Sequence, residues 1–418
     1  MGKLEKNYAW SGKINNYKMI VEGFEWGPAV TALIIDLGSE VIVTSEINVD
    51  DFEVSVHRQN TFSEAINTGE SEKRTILSVF ASDTLGNELS IPTSYITIEL
   101  EVKPYSGNPF FDNVAIMGKN WYKSYKHRIV YAGIAYRPKR TGKLMPLVDL
   151  FDTNGKFIAS DGEELLYASF SLETNEARPL IIWLHGLGEG SMDKIANPEV
   201  ALLGNRVTAL VDNEIQGLMG GAHVLVPQAD TFWMDENDRH VTTTGYSRYE
   251  IALTELLKKF ITDSQNIDVN RIYISGCSNG GFMTLRMMFL NPEMFAGAIP
   301  ICHGYHESWL TAEKIAAIKD IPIWIVHTEN DDIHRYEVTA LPLYERLVAT
   351  GAKNVFFTLD KNVVDRTGLY FDDEGNSYEY NGHFSWIHPL NNDTEMEIDG
   401  KMLSIFRWLS MQKRKLKI

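Results

Sequence analysis

The stretch that most constrains this chain is Gly276-Cys277-Ser278-Asn279-Gly280, with Gly281 behind it. Before it stands an apolar, β-branched run, Arg271-Ile272-Tyr273-Ile274-Ser275, which reads as a buried strand. After it, Phe282 to Leu290 reads as a helix that stops at Asn291-Pro292. Strand, G-x-S-x-G and helix together make the setting of a nucleophile elbow. The flanking glycines let the backbone turn where a Cβ would collide with a neighbouring strand or helix. The turn lifts the serine oxygen off the sheet and aims a helix N-terminus at it. Ser278 is therefore the candidate nucleophile, against the plainer reading of a Gly/Ser turn.

The 418 residues exceed one typical domain, so two or three are expected. From about Tyr17 to Tyr136 the signals have period two. Phe52, Val54 and Val56 alternate with Glu53 and Ser55, and Ile96, Ile98, Leu100 and Val102 with Thr97, Glu99 and Glu101. Further strands are expected at Thr31 to Asp36, Glu40 to Thr44, Thr75 to Ala81 and His127 to Ala132. Roughly seven short strands separated by turn clusters suggest an all-β immunoglobulin-like sandwich over residues 1–145. The Cys…Trp…Cys signature of true immunoglobulin domains is missing, so the match is to the architecture. His57 and His127 read as surface residues there. The aromatics Phe110, Phe111, Trp121, Tyr122 and Tyr125 read as core or interface.

Residues 146–418 read differently. Apolar runs without alternation, at Glu164 to Leu172, Leu180 to Leu184, His223 to Val226, Arg271 to Ser275, Phe295 to Ile301, Ile321 to Val326 and Val355 to Leu359, alternate with helical stretches. Strands covered on both faces read this way, hence a mostly parallel sheet between helices. Leu253, Leu256, Leu257, Phe260 and Ile261 form an apolar stripe at helical period. A last helix is expected over Met402 to Met411, burying Ile405, Trp408 and Leu409.

An acyl-transfer serine needs a base, an orienter for the base and donors for the oxyanion. In the order Ser, acid, His, only His383 and His388 follow the last expected strand. His383, in Tyr380-Asn381-Gly382-His383-Phe384-Ser385-Trp386, is preferred; His388 precedes Pro389 and reads as a structural turn. The acid is expected after Ile321 to Val326, in His327-Thr328-Glu329-Asn330-Asp331-Asp332. Asp331 is the choice, ahead of Asp332 and then Glu329. Its task is to accept the Nδ1 proton of His383 so that Nε2 faces Ser278. One oxyanion donor is the Asn279 N–H. The second is expected in His185-Gly186-Leu187-Gly188-Glu189-Gly190, at Leu187 with Gly188 as alternative, while His185 hydrogen-bonds within the loop.

These four loops make residues 160–418 resemble the α/β-hydrolase family. With the sandwich in front, the chain resembles thermophilic esterases that carry an N-terminal immunoglobulin-like domain. The resemblance implies carboxylester hydrolysis through a Ser-Asp-His triad, no cofactor, and a capacity for homo-oligomers. One departure is Thr328, where relatives often have Gly, which bears on the choice between Asp331 and Asp332.

About eighteen residues separate Cys302 from Ile321, too few for a lid domain. Candidate walls of an open site are Phe232, Trp233 and Met234, then His303, Tyr305, His306 and Trp309, and finally Phe384 and Trp386; Trp233, His303, Trp309 and Trp386 lead. An aromatic site suits small esters with short acyl or aryl groups. A feruloyl-type esterase or serine peptidase would use the same triad, and a non-catalytic binding protein would tolerate loss of Ser278. The net charge of −17 speaks against nucleic acid or an anionic membrane as partner. The basic end, Lys413 to Lys417, is too short to reverse that. No run of eighteen apolar residues marks a membrane span. The start, Met1 to Lys6, lacks the apolar core of a signal peptide, which fits a cytoplasmic protein or one whose signal is absent from this chain. No metal is expected: His-Glu-x-x-His does not occur, and Asp372-Asp373-Glu374-Gly375 lacks calcium-loop spacing. The two cysteines, Cys277 and Cys302, fall at the ends of neighbouring strands, either as buried thiols or as a disulfide.

Overall fold

The computed structural model describes residues 13–59, 70–113, 118–122, 124–191 and 197–414. Met1 to Lys6 and the basic residues Lys415 and Lys417 lie outside the described residues. The chain divides into two compact units. One comprises Met1–Phe111 and Asn120–Asp149, the other Asp112–Lys119 and Leu150–Ile418.

In the first unit two sheets form. One has five strands in the order Lys139–Leu144, Asn16–Phe24, Gly27–Asp36, Tyr95–Leu100 and Ile76–Ser82; the other has Ile134–Tyr136, Ser124–Tyr131, Phe52–Gln59 and Glu70–Arg74. The period-two reading holds where it was clearest: Phe52, Val54 and Val56 are buried and Glu53 is exposed. Two expectations fail. Glu40 to Thr44 forms only an isolated bridge, Ile42 to Thr93, before a 3-10 turn at Thr44–Glu46. His127 is not a surface residue. Strand Ser124–Tyr131 turns Tyr125, His127 and Ile129 inward, and the His127 ring lies 3.2 Å from the Tyr17 hydroxyl through Nδ1. The same period that located the strand puts this histidine on its buried face.

The second unit is built on an eight-stranded sheet. Its order is Asp152–Ile158, Glu164–Phe170, His223–Gln228, Arg178–Leu184, Ile267–Cys277, Gly297–Ile301, Ile323–Thr328 and Val355–Asp360. The first two pairings are antiparallel and the other five parallel. Every residue of His223–Gln228 is buried, as expected for a strand covered on both faces. Helix Glu250–Asp263 buries Leu253, Leu256 and Leu257, with Phe260 and Ile261 packed at the core margin. Two elements depart from expectation. The strand Asp152–Ile158 was not foreseen, because Asp152-Thr153-Asn154-Gly155 reads as a turn; Gly155 is needed where a Cβ would sit 2.3 Å from the Tyr167 ring. The last helix begins at Ile405, not Met402. Glu395–Ile398 and Lys401–Ser404 form a hairpin whose turn residues, Asp399 and Gly400, both take positive φ.

Several histidines are held neutral by burial, which sets an acid limit on the fold. Burial, with Arg74 and Arg140 adding to it, lowers His127 to about 3. Burial, then the charge of His383, lowers His334 to about 4. His185, His303 and His327 are lowered by burial as well. An unfolded chain takes up these protons below the ordinary value of 6.5 while the folded chain does not. Their contribution to stability is therefore complete above that value and is lost as the pH falls toward 4 and below. The melting temperature is expected to fall steeply between pH 6 and pH 4, as estimates from this linkage. Calorimetry across that range checks it, and a flat profile would contradict it.

Candidate active site

The elbow lies where the parallel sheet needs it. Strand Ile267–Cys277 ends at Cys277, and helix Asn279–Leu290 starts one residue later. Ser278, between them, has φ 55 and ψ −114, a conformation that non-glycine residues rarely adopt. It is held there because its N–H donates to the Ile301 carbonyl at 3.0 Å. A Cβ on Gly280 would stand 1.9 Å from the Leu184 carbonyl oxygen, and one on Gly276 2.6 Å from the same atom. Both glycines are thus imposed by the neighbouring strand. Ser278 is 6% exposed.

The acid and base arrive on the next loops. Asp331 follows strand Ile323–Thr328 and is 3% exposed. Its Oδ2 accepts from His383 Nδ1 at 2.8 Å. Its Oδ1 accepts from the N–H groups of Ile333 and His334, at 2.8 and 3.0 Å. Burial pushes this carboxyl up, but the His383 bond and charge, with the backbone donors, outweigh it and hold Asp331 below the ordinary carboxylate value. Asp332 and Glu329 are exposed, so of the three carboxylates only Asp331 meets the histidine.

Thr328 ties down the histidine loop. Its hydroxyl donates to the Gly382 carbonyl at 2.5 Å, and the His383 N–H donates to Asn381 Oδ1 at 2.9 Å. His388 is a structural residue as expected: its Nδ1 lies 2.9 Å from Asp360 Oδ2 and its Nε2 3.0 Å from the Val364 carbonyl. Among the described residues, no hydrogen bond joins the Ser278 hydroxyl to His383. Such bonds often close only when substrate is bound.

Leu187 opens a 3-10 turn, Leu187–Glu189, directly beyond strand Arg178–Leu184. Neither its backbone N–H nor that of Asn279 donates to another group of the described chain. The Asn279 side chain is spent elsewhere, accepting from the Met234 N–H at 2.9 Å. His185 stays within its loop, with Nδ1 on the Gly186 carbonyl and Nε2 accepting from the Ala229 N–H. Cys277 and Cys302 are buried free thiols, and burial pushes both above the ordinary thiol value.

Residues 168–356 match the profile described as phospholipase/carboxylesterase, and residues 16–157 match that described as esterase Ig-like N-terminal domain. The chain has an α/β-hydrolase fold preceded by an immunoglobulin-like domain. A solved thermostable esterase shares this chain's fold, with a TM-score of 0.73 over 95% of this chain and 99% of that one, at 24% identity. A poly(3-hydroxybutyrate) depolymerase of Ralstonia pickettii is 32% identical over 138 residues, 31% of this chain and 26% of that protein. The bifunctional acetylxylan esterase/xylanase XynS20E of Neocallimastix patriciarum is 28% identical over 172 residues, 41% of this chain and 22% of that protein. The chain thus spans about a quarter of the length of the curated relatives it matches.

The expected walls of the hydrolase site need revision. Trp233 and His303 are 0% exposed, so neither presents a face to an ester in this structure. Trp233 packs against His185 and Tyr249 in the core. Phe232, Met234 and Tyr305 are also buried. Trp386 is buried beside Phe384, their rings 4.5 Å apart, and stands edge-on to His383 at 6.0 Å. Trp309 keeps partial exposure, with Nε1 donating to the Thr243 carbonyl. Sequence reasoning missed His334, whose ring stands edge-on to His383 at 5.3 Å. It missed His327 as well, whose Nε2 lies 3.8 Å from Asp331 Oδ2. No local pattern distinguishes either from the chain's other histidines: His327 ends a buried strand and His334 lies in the loop beyond it.

Proposed function

We propose that the chain hydrolyses carboxylic esters of short-chain acids or aryl groups, with Ser278 as nucleophile, His383 as base and Asp331 as its orienter. The observation that carries this reading is the 2.8 Å contact of His383 Nδ1 with Asp331 Oδ2, on the loops that flank a strained Ser278. Asp331 holds the Nδ1 proton, leaving the Nε2 lone pair for the Ser278 proton. Ser278 Oγ attacks the ester carbonyl, and the negative charge that develops on its oxygen falls to the N–H groups of Leu187 and Asn279. As the tetrahedral intermediate collapses, His383 passes its proton to the departing alcohol. Water then gives a proton to His383 and attacks the acyl-enzyme, releasing the acid and restoring Ser278.

Between Ile301 and Ile323 the chain makes only a 3-10 turn, Glu307–Trp309, and a short helix, Ala312–Ile318, with no lid domain. The two curated relatives are named for action on esters, which supports the reaction class. Hydrolysis of p-nitrophenyl esters of graded chain length tests the reading. kcat/KM is expected to be highest for acetate to butyrate and to fall about tenfold or more by decanoate, given the modest energy each methylene contributes. A maximum at long chains would contradict it. Methyl ferulate and aminoacyl p-nitroanilides in the same panel separate the feruloyl-esterase and peptidase readings.

A further inference from the structure

The turn that carries the Leu187 N–H contains a buried carboxylate. Glu189 closes the turn Leu187–Glu189 and is 2% exposed. Its side chain folds back beneath its own loop. A Cβ on Gly186 would lie 2.8 Å from Glu189 Oε2, and one on Gly204 2.5 Å from Glu189 Cγ. The two glycines leave the carboxylate its place and no other. Among the described residues Glu189 Oε2 has no hydrogen-bond partner, so the group depends on what meets Oε1.

That partner is Lys119, whose Nζ lies 2.8 Å from Glu189 Oε1, 70 residues away in sequence. Lys119 falls within the stretch matched by the immunoglobulin-like profile, yet Asp112–Lys119 belongs to the second compact unit. Its stem runs along the turn: Cγ and Cε each lie 3.3 Å from where a Gly188 Cβ would stand. The lysine therefore lies against Gly188, between the proposed donor Leu187 and the buried Glu189. From the other side the turn is tied down by Gln228, whose Nε2 donates to the Glu189 carbonyl at 2.9 Å.

We infer that Lys119 is a positioning residue for the oxyanion turn: by pairing with Glu189 it sets the angle at which the Leu187 N–H meets the reacting carbonyl. This rests on the ester-hydrolase reading above. Without the lysine, a buried carboxylate is left uncompensated. The turn must then move to hydrate it. An oxyanion donor acts through its placement, so a small shift of the turn costs rate and leaves binding nearly unchanged.

The test uses the full chain and the variants Lys119→Met, Lys119→Arg, Glu189→Gln and the Lys119→Met/Glu189→Gln double, with wild type and Ser278→Ala alongside, on p-nitrophenyl butyrate. Lys119→Met is expected to lower kcat about 10- to 100-fold with KM within about twofold, less than the loss of a whole oxyanion donor. Lys119→Arg should recover part of the loss. The double variant, with neither charge, should exceed Lys119→Met. Wild-type kcat in Lys119→Met would overturn the inference and leave the esterase reading standing. So would a loss that follows the melting temperature and is equal in the double variant. Absence of Ser278-dependent hydrolysis in wild type would instead remove the esterase reading, and the inference with it.

Discussion

Ser278→Ala is expected to lower kcat on p-nitrophenyl esters by a factor on the order of 10⁶, the scale seen when a triad serine is removed elsewhere. The substitution deletes one oxygen and nothing else. The bond that holds the elbow in its strained conformation comes from the backbone, Ser278 N–H to the Ile301 carbonyl, and survives the change. The alanine inherits the same φ of 55, so the melting temperature should stay within a few degrees of wild type, an estimate for a one-atom loss at a site of unchanged backbone. The pairing of lost rate and kept stability is the diagnostic result. A rate within tenfold of wild type would place the nucleophile elsewhere.

Asp331→Asn is expected to cost about 10⁴ in kcat, with KM little changed. The reason is the asymmetry of the carboxylate's bonds. Oδ1 accepts two backbone N–H groups, from Ile333 and His334, and Oδ2 accepts from His383. An amide has one oxygen, and the two backbone donors claim it. The NH₂ group then faces His383 Nδ1, which must become the acceptor. The imidazole proton moves to Nε2, the nitrogen that should take the Ser278 proton, and the base is lost although the geometry is kept. Steady-state kinetics checks this. A change smaller than about tenfold would show that Asp331 does not set the tautomer in the way this triad requires.

Much of this architecture was legible because each element carried its own signal. The elbow announced itself by glycines whose absence of a Cβ is forced by the Leu184 carbonyl. The parallel strands showed as unbroken apolar runs because both faces are covered. What was not legible depends on contacts that local pattern does not encode. His127 reads like any polar residue in a strand, and only the register of Ser124–Tyr131 sends it inward. Strand Asp152–Ile158 hides behind turn residues because it sits at the sheet edge, where a polar sequence is tolerated. Trp233 and His303 lie on loops and yet are fully buried, since a loop's position does not fix the direction of its side chains. Thr328, an oddity in sequence, makes sense once its hydroxyl is seen to hold the Gly382 carbonyl. The Lys119 and Glu189 pair joins residues 70 apart and leaves no trace in either neighbourhood.

The proposed chemistry requires one activated serine, Ser278. The most direct measurement is the site of covalent capture by a fluorophosphonate probe, read by intact mass and then by peptide mass spectrometry. A single adduct per chain is expected, on the peptide containing Ser278, formed in wild type and absent in Ser278→Ala. An adduct on another residue, or equal labelling of Ser278→Ala, would contradict it.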